Sequence, residues 1–184
     1  MRIRPDHPLN RLFTDLTSRH LINAAGIDDP ETARYIAGVL TDFTHVDSLY
    51  RIRNAKGKRL EEVGEMMIES NPLLDGRSFL REREVRKHIG DYTLFMSGLF
   101  PEYVHRLPSR GLKMDAFIDY MQAGKESYRI VASFDQFEFR DIAPLFRRLA
   151  ERFELCVFGL NLVKNELEQN QRAWYSGMRQ ALIS

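Results

Sequence analysis

The sequence predicts an all-α fold, a single-domain bundle of six or seven helices around a kinked, buried central helix. Apolar residues recur at three- and four-residue spacing through most of the chain, and proline and glycine separate these periodic segments. With 184 residues, of which 43% are hydrophobic, the chain is long enough to bury one sizeable core. We therefore expect one helical domain spanning residues 1–184.

The central helix is predicted within residues 88–105, HIGDYTLFMSGLFPEYVH. Its apolar residues cover nearly the whole helix circumference, which is typical of a helix buried on most sides. Pro101 lacks an amide hydrogen and its ring clashes with the carbonyl four residues earlier, so the helix must kink or stop near Phe100. Gly90 and Gly98 suggest either a close approach by a neighbouring helix or a bend. Asp91 interrupts the apolar run, which argues against a membrane span.

The segment GDYTLFMSGLFPEY, residues 90–103, resembles a phrase in a group of uncharacterised bacterial proteins that are predicted to be helical. The resemblance implies a helical bacterial cytoplasmic protein. It implies no activity and no site residues.

The elements before the central helix follow from apolar periodicity and capping residues. The first helix is predicted near residues 8–24, and the second begins with Asp29 as N-cap and Pro30 at the first helical position. Residues 51–59 lack apolar periodicity after Ile52 and should form an exposed connection. A third helix ends before Asn71-Pro72.

The elements after the central helix include the clearest apolar stripe in the chain. A long helix is predicted near residues 113–133, followed by an extended linker at 134–139. Pro144 then starts a helix whose stripe continues to Leu167, and a last short helix carries Trp174.

Composition limits the classes of function. The formal net charge of +1 gives no general attraction to nucleic acid or to anionic membranes. One cysteine excludes an intramolecular disulfide and a cysteine-cluster zinc site. The first residues lack the apolar core of a secretion signal, so we expect a cytoplasmic protein.

A metal site is one hypothesis for chemistry. Two acid-x-x-His elements, Asp42 with His45 and Glu102 with His105, each place a carboxylate and an imidazole on one helix face. Facing pairs of this kind resemble the ligands of ferritin-like dimetal bundles, which would bind iron, manganese or zinc. The alternative is that these are surface and capping residues, and then no cofactor is needed.

A basic patch is the second hypothesis. Five cationic residues within nine positions could bind phosphate groups of a nucleotide or nucleic acid: Arg51, Arg53, Lys56, Lys58 and Arg59. Glutamates accompany them, which is also typical of a solvated surface, and the near-neutral net charge makes nucleic acid an unfavoured partner.

The leading interpretation is a non-catalytic module that binds protein partners or a small ligand. The chain carries no Walker loop, dinucleotide-binding glycine pattern, nucleophile elbow or His-Glu-x-x-His motif. Methionines near the central helix could line a pocket for a small apolar ligand. The two most apolar helices need extensive cover, so we expect a homodimer. An enzyme of the dimetal class is the alternative.

Overall fold

The structure, a computed structural model, describes residues 8–73, 78–106, 113–170 and 173–183. Within these ranges it contains helices, turns and one isolated β-bridge but no strand, which confirms the all-α prediction. Ten α-helices lie in the described ranges: α1 (Pro8–Thr17), α2 (Pro30–Asp42), α3 (Val46–Leu49), α4 (Val63–Glu69), α5 (Phe79–Leu99), α6 (Pro101–Val104), α7 (Lys113–Ser133), α8 (Ala143–Glu151), α9 (Phe153–Gln169) and α10 (Ala173–Ile183). A π-helical segment, Ser18–Ala24, follows α1, and a short 3₁₀ turn spans Phe137–Phe139.

Helix α2 begins as its sequence predicts. The Asp29 carboxylate accepts the Glu31 amide at 3.1 Å and the Thr32 hydroxyl at 2.5 Å, while Pro30 occupies the first helical position. The Arg148 guanidinium donates to the same carboxylate at 2.6 Å. The N-terminus of α2 is therefore tied to α8.

Helix α5 forms the centre of the bundle and packs mainly against α7 and α9. Every residue from His88 to Phe100 is buried, as the apolar pattern predicts. The helix stops at Phe100 (φ −133°, ψ 49°), and α6 restarts at Pro101, which confirms the predicted break. The helix starts at Phe79, before the apolar stretch, because Ser78 caps it by accepting the Arg81 amide. The first half of the helix is charged and shows little apolar periodicity, so the sequence pattern does not reveal this start.

Two segments differ from the sequence prediction. The stripe from Leu145 to Leu167 belongs to two helices, since α8 ends at Glu151, Arg152 leaves the helical conformation (φ −113°, ψ 23°), and α9 starts at Phe153. The same side of both helices stays buried across this break, so the apolar spacing does not reveal it. Residues 134–139 contain a 3₁₀ turn rather than a fully extended linker.

Glycines allow α5 to approach its neighbours closely. A Cβ added to Gly90 would lie 2.5 Å from the Tyr128 ring in α7, and one added to Gly98 would lie 2.5 Å from the Leu160 Cβ in α9. Both distances are far below van der Waals contact. The close approach predicted for these two glycines is confirmed.

No helix within the described ranges is long and apolar enough to span a membrane.

Replacing Gly98 by alanine should destabilise the protein. The added methyl group meets the Leu160 Cβ, which is fixed to the backbone and cannot rotate away, so we expect the free energy of unfolding to fall by about 1–3 kcal/mol in urea titrations. Gly38→Ala in the interior of α2 is the matched control, since nothing lies within 4 Å of an added Cβ there. The control should gain up to about 1 kcal/mol from helix propensity. A Gly98→Ala variant as stable as the wild type would contradict the packing argument.

Candidate functional site

A carboxylate inside the central helix organises the most polar part of the core. Asp91 of α5 is only 3% exposed. Its Oδ1 accepts the Tyr35 hydroxyl of α2 at 2.6 Å and the Tyr128 hydroxyl of α7 at 2.9 Å. Its Oδ2 accepts the Lys87 Nζ, one turn earlier on α5, at 2.7 Å. Three helices thus meet at one charged group.

The surroundings keep both tyrosines as hydrogen-bond donors. Burial, followed by the negative charge of Asp91, raises the pKa of Tyr35 and of Tyr128 well above the ordinary tyrosine value. Lys87 supplies the compensating positive charge, and its ammonium also lies 5.1 Å from the centre of the Tyr35 ring. The negative charge of the buried carboxylate is therefore balanced by a cation, and both of its oxygens accept hydrogen bonds.

This polar centre borders an open cleft of about 360 Å³ between α2, α5 and the segment after α3. On the side of α2, the apolar side chains of Val39 and Phe43 lie beside the polar residues Arg34, Thr41 and Asp42. The lining residues are Asn10, Arg34, Tyr35, Gly38, Val39, Thr41, Asp42, Phe43, Arg51, Lys87 and Asp91.

The charges of the cleft favour an anion. Arg34, Arg51 and Lys87 line it together with Asp42 and Asp91, and the ion pair between Lys87 and Asp91 balances one charge of each sign. Neither arginine forms an ion pair with another residue in the described ranges. Among the described lining residues, two arginines and one carboxylate, that of Asp42, are then left without an ion pair, so these residues together carry one net positive charge.

A second cleft, of about 320 Å³, lies between α7 and α8 and has balanced charge. Arg129 and Arg147 line it together with Asp135 and Glu151. It offers no comparable surplus of either sign.

His88 holds the segment that carries Arg51. Its Nε2 donates to the Leu49 carbonyl at 3.0 Å, and its ring packs edge-on against Phe43 at 5.6 Å between centroids. Burial, assisted by Arg51, lowers the pKa of His88 to about 3. The imidazole is therefore neutral at physiological pH, and its role is to anchor the backbone two residues before Arg51.

The five residues of the predicted basic patch make different contacts and do not all line the cleft. Arg51 lines the cleft, whereas Lys58 pairs with Glu65 at 2.8 Å and Arg59 with Asp47 at 2.7 Å. The Arg53 Nη1 donates to the Gly57 carbonyl at 3.0 Å, and Lys56 donates its backbone amide to the Asn54 side chain at 3.0 Å. Residues 51–59 are largely exposed, as predicted, but Ile52 within the segment and Leu60 just after it are buried.

The four predicted metal ligands lie at or beside the ends of helices. Asp42 ends α2 and His45 precedes α3, while Glu102 lies in α6 and His105 follows it. Glu102 pairs with Lys164 at 2.9 Å and lies 3.3 Å from the Arg179 Nε. Within the described ranges, which include all four residues, no three or more His, Cys, Asp or Glu residues are grouped as metal ligands. The geometry adds no support to the dimetal hypothesis, which stays a prediction.

Sequence reasoning missed the residues at the centre of this site, Asp91, Tyr35 and Lys87. A usable signal was present in Asp91, a carboxylate inside a helix that is apolar on nearly all sides. Such a charge must find partners when the helix is buried. Periodicity could not identify those partners, because Tyr35 and Tyr128 are 56 and 37 residues away.

Comparison of the chain with protein-family models, curated proteins and solved structures found no match.

Replacing Asp91 by alanine should destabilise the protein strongly. The change leaves the Lys87 ammonium and two tyrosine hydroxyls without their acceptor, so we expect the free energy of unfolding to fall by about 3–5 kcal/mol. Glu126→Ala, which removes an exposed ion pair with Arg129, is the control and should cost less than about 1 kcal/mol. Equal losses in the two variants would show that Asp91 does not hold the helices together.

The stability of the protein should fall on acidification through His88. Its pKa is about 3 when folded and near the ordinary value of 6.5 when unfolded, so the unfolded chain binds a proton that the folded protein does not. The stabilisation is complete above pH 6.5 and is lost as the pH falls toward 3. Between pH 7 and pH 5 we expect a loss of about 2 kcal/mol from this residue.

The measurement is urea unfolding of the wild type and of His88→Gln at both pH values. Glutamine keeps a donor for the Leu49 carbonyl but does not titrate, so its stability should change less over this range. Identical pH dependence in the two proteins would rule out His88 as the source.

Proposed function

We propose that this protein is a binding module for a small organic anion, which occupies the cleft between α2 and α5. The observation that carries the proposal is the pair Arg34 and Arg51, which line one cleft and form no ion pair in the described ranges. A carboxylate or phosphate group would give these guanidinium groups charge-assisted hydrogen bonds.

The size and lining of the cleft indicate the rest of the ligand. A volume of about 360 Å³ lies at the lower end of the range of small-molecule sites, which is roughly 300–1,000 Å³. Tyr35, Val39 and Phe43 supply apolar surface beside the cations. A compact molecule with one acidic group and an apolar body suits this lining, and the cations favour it over the purely apolar ligand suggested by the methionine content.

The hydrogen bonding and protonation of Asp91, Tyr35 and Tyr128 favour a binding role over a catalytic one. The Asp91 carboxylate already accepts three hydrogen bonds, and the high pKa values of Tyr35 and Tyr128 keep their protons in place. These groups fix the wall of the cleft and orient Lys87 beside it. Their shared role is to hold a preformed site.

The cellular setting and partners belong to the same proposal. The resemblance of residues 90–103 to uncharacterised bacterial proteins supports a bacterial, cytoplasmic location. A homodimer stays a prediction, and exposed Leu155 and Phe158 on α9 are compatible with it. Nucleic-acid binding is less favoured, since Lys58 and Arg59 are already paired with carboxylates.

The test is calorimetric titration with benzoate and phenyl phosphate, with neutral benzyl alcohol for comparison. We expect saturable binding of an anion, weakened by about tenfold or more in Arg34→Gln and in Arg51→Gln, because each loses a charged hydrogen bond. Arg53→Gln is the matched control, since its guanidinium donates to the Gly57 carbonyl outside the cleft.

A second variant tests the location without changing charge. Gly38 lines the cleft and has open space where a Cβ would lie, so Gly38→Leu should fill the cleft while α2 stays folded. We expect anion binding to be lost in this variant. Binding that survives in Gly38→Leu, or that Arg34→Gln and Arg51→Gln leave unchanged, would refute the proposal.

A further inference from the structure

One stripe of α2 carries opposite charges toward the two ends of the cleft. Arg34, Gly38 and Asp42 all line the cleft, and their spacing of four residues brings them to one face of the helix. Eight residues separate the two charged ones, so their backbones are about 12 Å apart along the helix axis. Gly38 lies halfway between them and has open space where a Cβ would lie. The stripe therefore presents a cation, a gap and an anion in that order.

The Asp42 carboxylate is free although cations line the same cleft. Asp42 is exposed at the end of α2, and its side chain forms no ion pair in the part of the chain that the structure describes. Lys87 pairs with Asp91 at 2.7 Å instead, and Arg34 and Arg51 also leave Asp42 unpaired. The cleft therefore offers a negative group as well as two positive ones to a ligand.

Helix stability does not account for an acidic residue at position 42. The C-terminal end of a helix carries a partial negative charge, which disfavours a carboxylate in the last turn and favours a cation there. The last turn of α2 contains no basic residue. A cation from outside the chain would interact favourably with both the Asp42 carboxylate and the negative end of the helix.

We propose that the ligand of the cleft is an ω-amino acid, whose carboxylate binds Arg34 and Arg51 and whose ammonium binds Asp42. This inference rests on the proposed function, because it adds an ammonium group to the organic anion proposed above. Both ends of such a ligand form charge-assisted hydrogen bonds, and its methylene chain crosses the gap at Gly38. An α-amino acid, whose charged groups are separated by one carbon, is too short to bridge these ends.

The test is calorimetric titration of the full chain with ε-aminocaproate, caproate and glycine at constant ionic strength. Caproate has the same carbon chain as ε-aminocaproate but no ammonium, and glycine has both charges but no spacer. We expect ε-aminocaproate to bind about fivefold tighter than caproate or more, because only it gains the charged contact with Asp42. Glycine should bind more weakly than ε-aminocaproate.

The variant Asp42→Asn identifies the group that binds the ammonium. It removes the negative charge with little change of size, so ε-aminocaproate should lose about fivefold in affinity or more, whereas caproate should lose none. Asp28→Asn is the matched control, since it removes an exposed carboxylate outside the cleft and should change neither affinity. Urea unfolding should show Asp42→Asn to be at least as stable as the wild type, because the helix end disfavours an acid. Loss of binding then cannot be attributed to unfolding.

The possible contrary results separate this inference from the proposed function. Equal affinities for caproate and ε-aminocaproate, both lowered in Arg34→Gln, would overturn the ω-amino acid and leave an anion-binding cleft. The same conclusion would follow if Asp42→Asn weakened both compounds equally, since Asp42 would then shape the cleft without contacting an ammonium. Glycine binding as tight as that of ε-aminocaproate would overturn the bridging geometry. Absence of binding by all three compounds would refute the proposed function as well.

Discussion

The bundle depends on the compensation of one buried charge. Asp91 lies in a helix whose residues are buried continuously from His88 to Phe100 and is only 3% exposed, so water alone cannot solvate its carboxylate. Compensation comes from α2 through Tyr35, from α7 through Tyr128 and from α5 itself through Lys87. Because hydrogen bonds act over short distances, these contacts fix the relative positions of three helices that are far apart in sequence.

Close packing and this polar centre depend on each other. Gly90 presents no side chain to the Tyr128 ring, and a Cβ there would lie 2.5 Å from ring atoms. The ring can therefore lie directly on α5 and direct its hydroxyl to the neighbouring residue, Asp91. A larger residue at position 90 would displace both the packing of α7 and the hydrogen bond that it donates.

Consecutive residues of α5 lie in different surroundings. Successive side chains in an α-helix point about 100° apart, so Asp91 borders the cleft while Tyr92 is fully buried and packs against the rings of Tyr50 and Tyr120. The segment after α3 contributes to both surroundings, since Tyr50 packs against Tyr92 and Arg51 lines the cleft. His88 secures this segment through the Leu49 carbonyl.

The sequence by itself determined the all-α fold, the Asp29-Pro30 start of α2, the buried central helix and its break before Pro101. Each follows from periodicity, capping or proline chemistry, which act within a few residues. Tertiary structure alone decided that Arg51 lines the cleft while Lys58 and Arg59 are paired, and that Tyr35 and Tyr128 meet Asp91. These contacts depend on how helices distant in sequence pack together, and local sequence patterns do not show which distant helices will pack against each other.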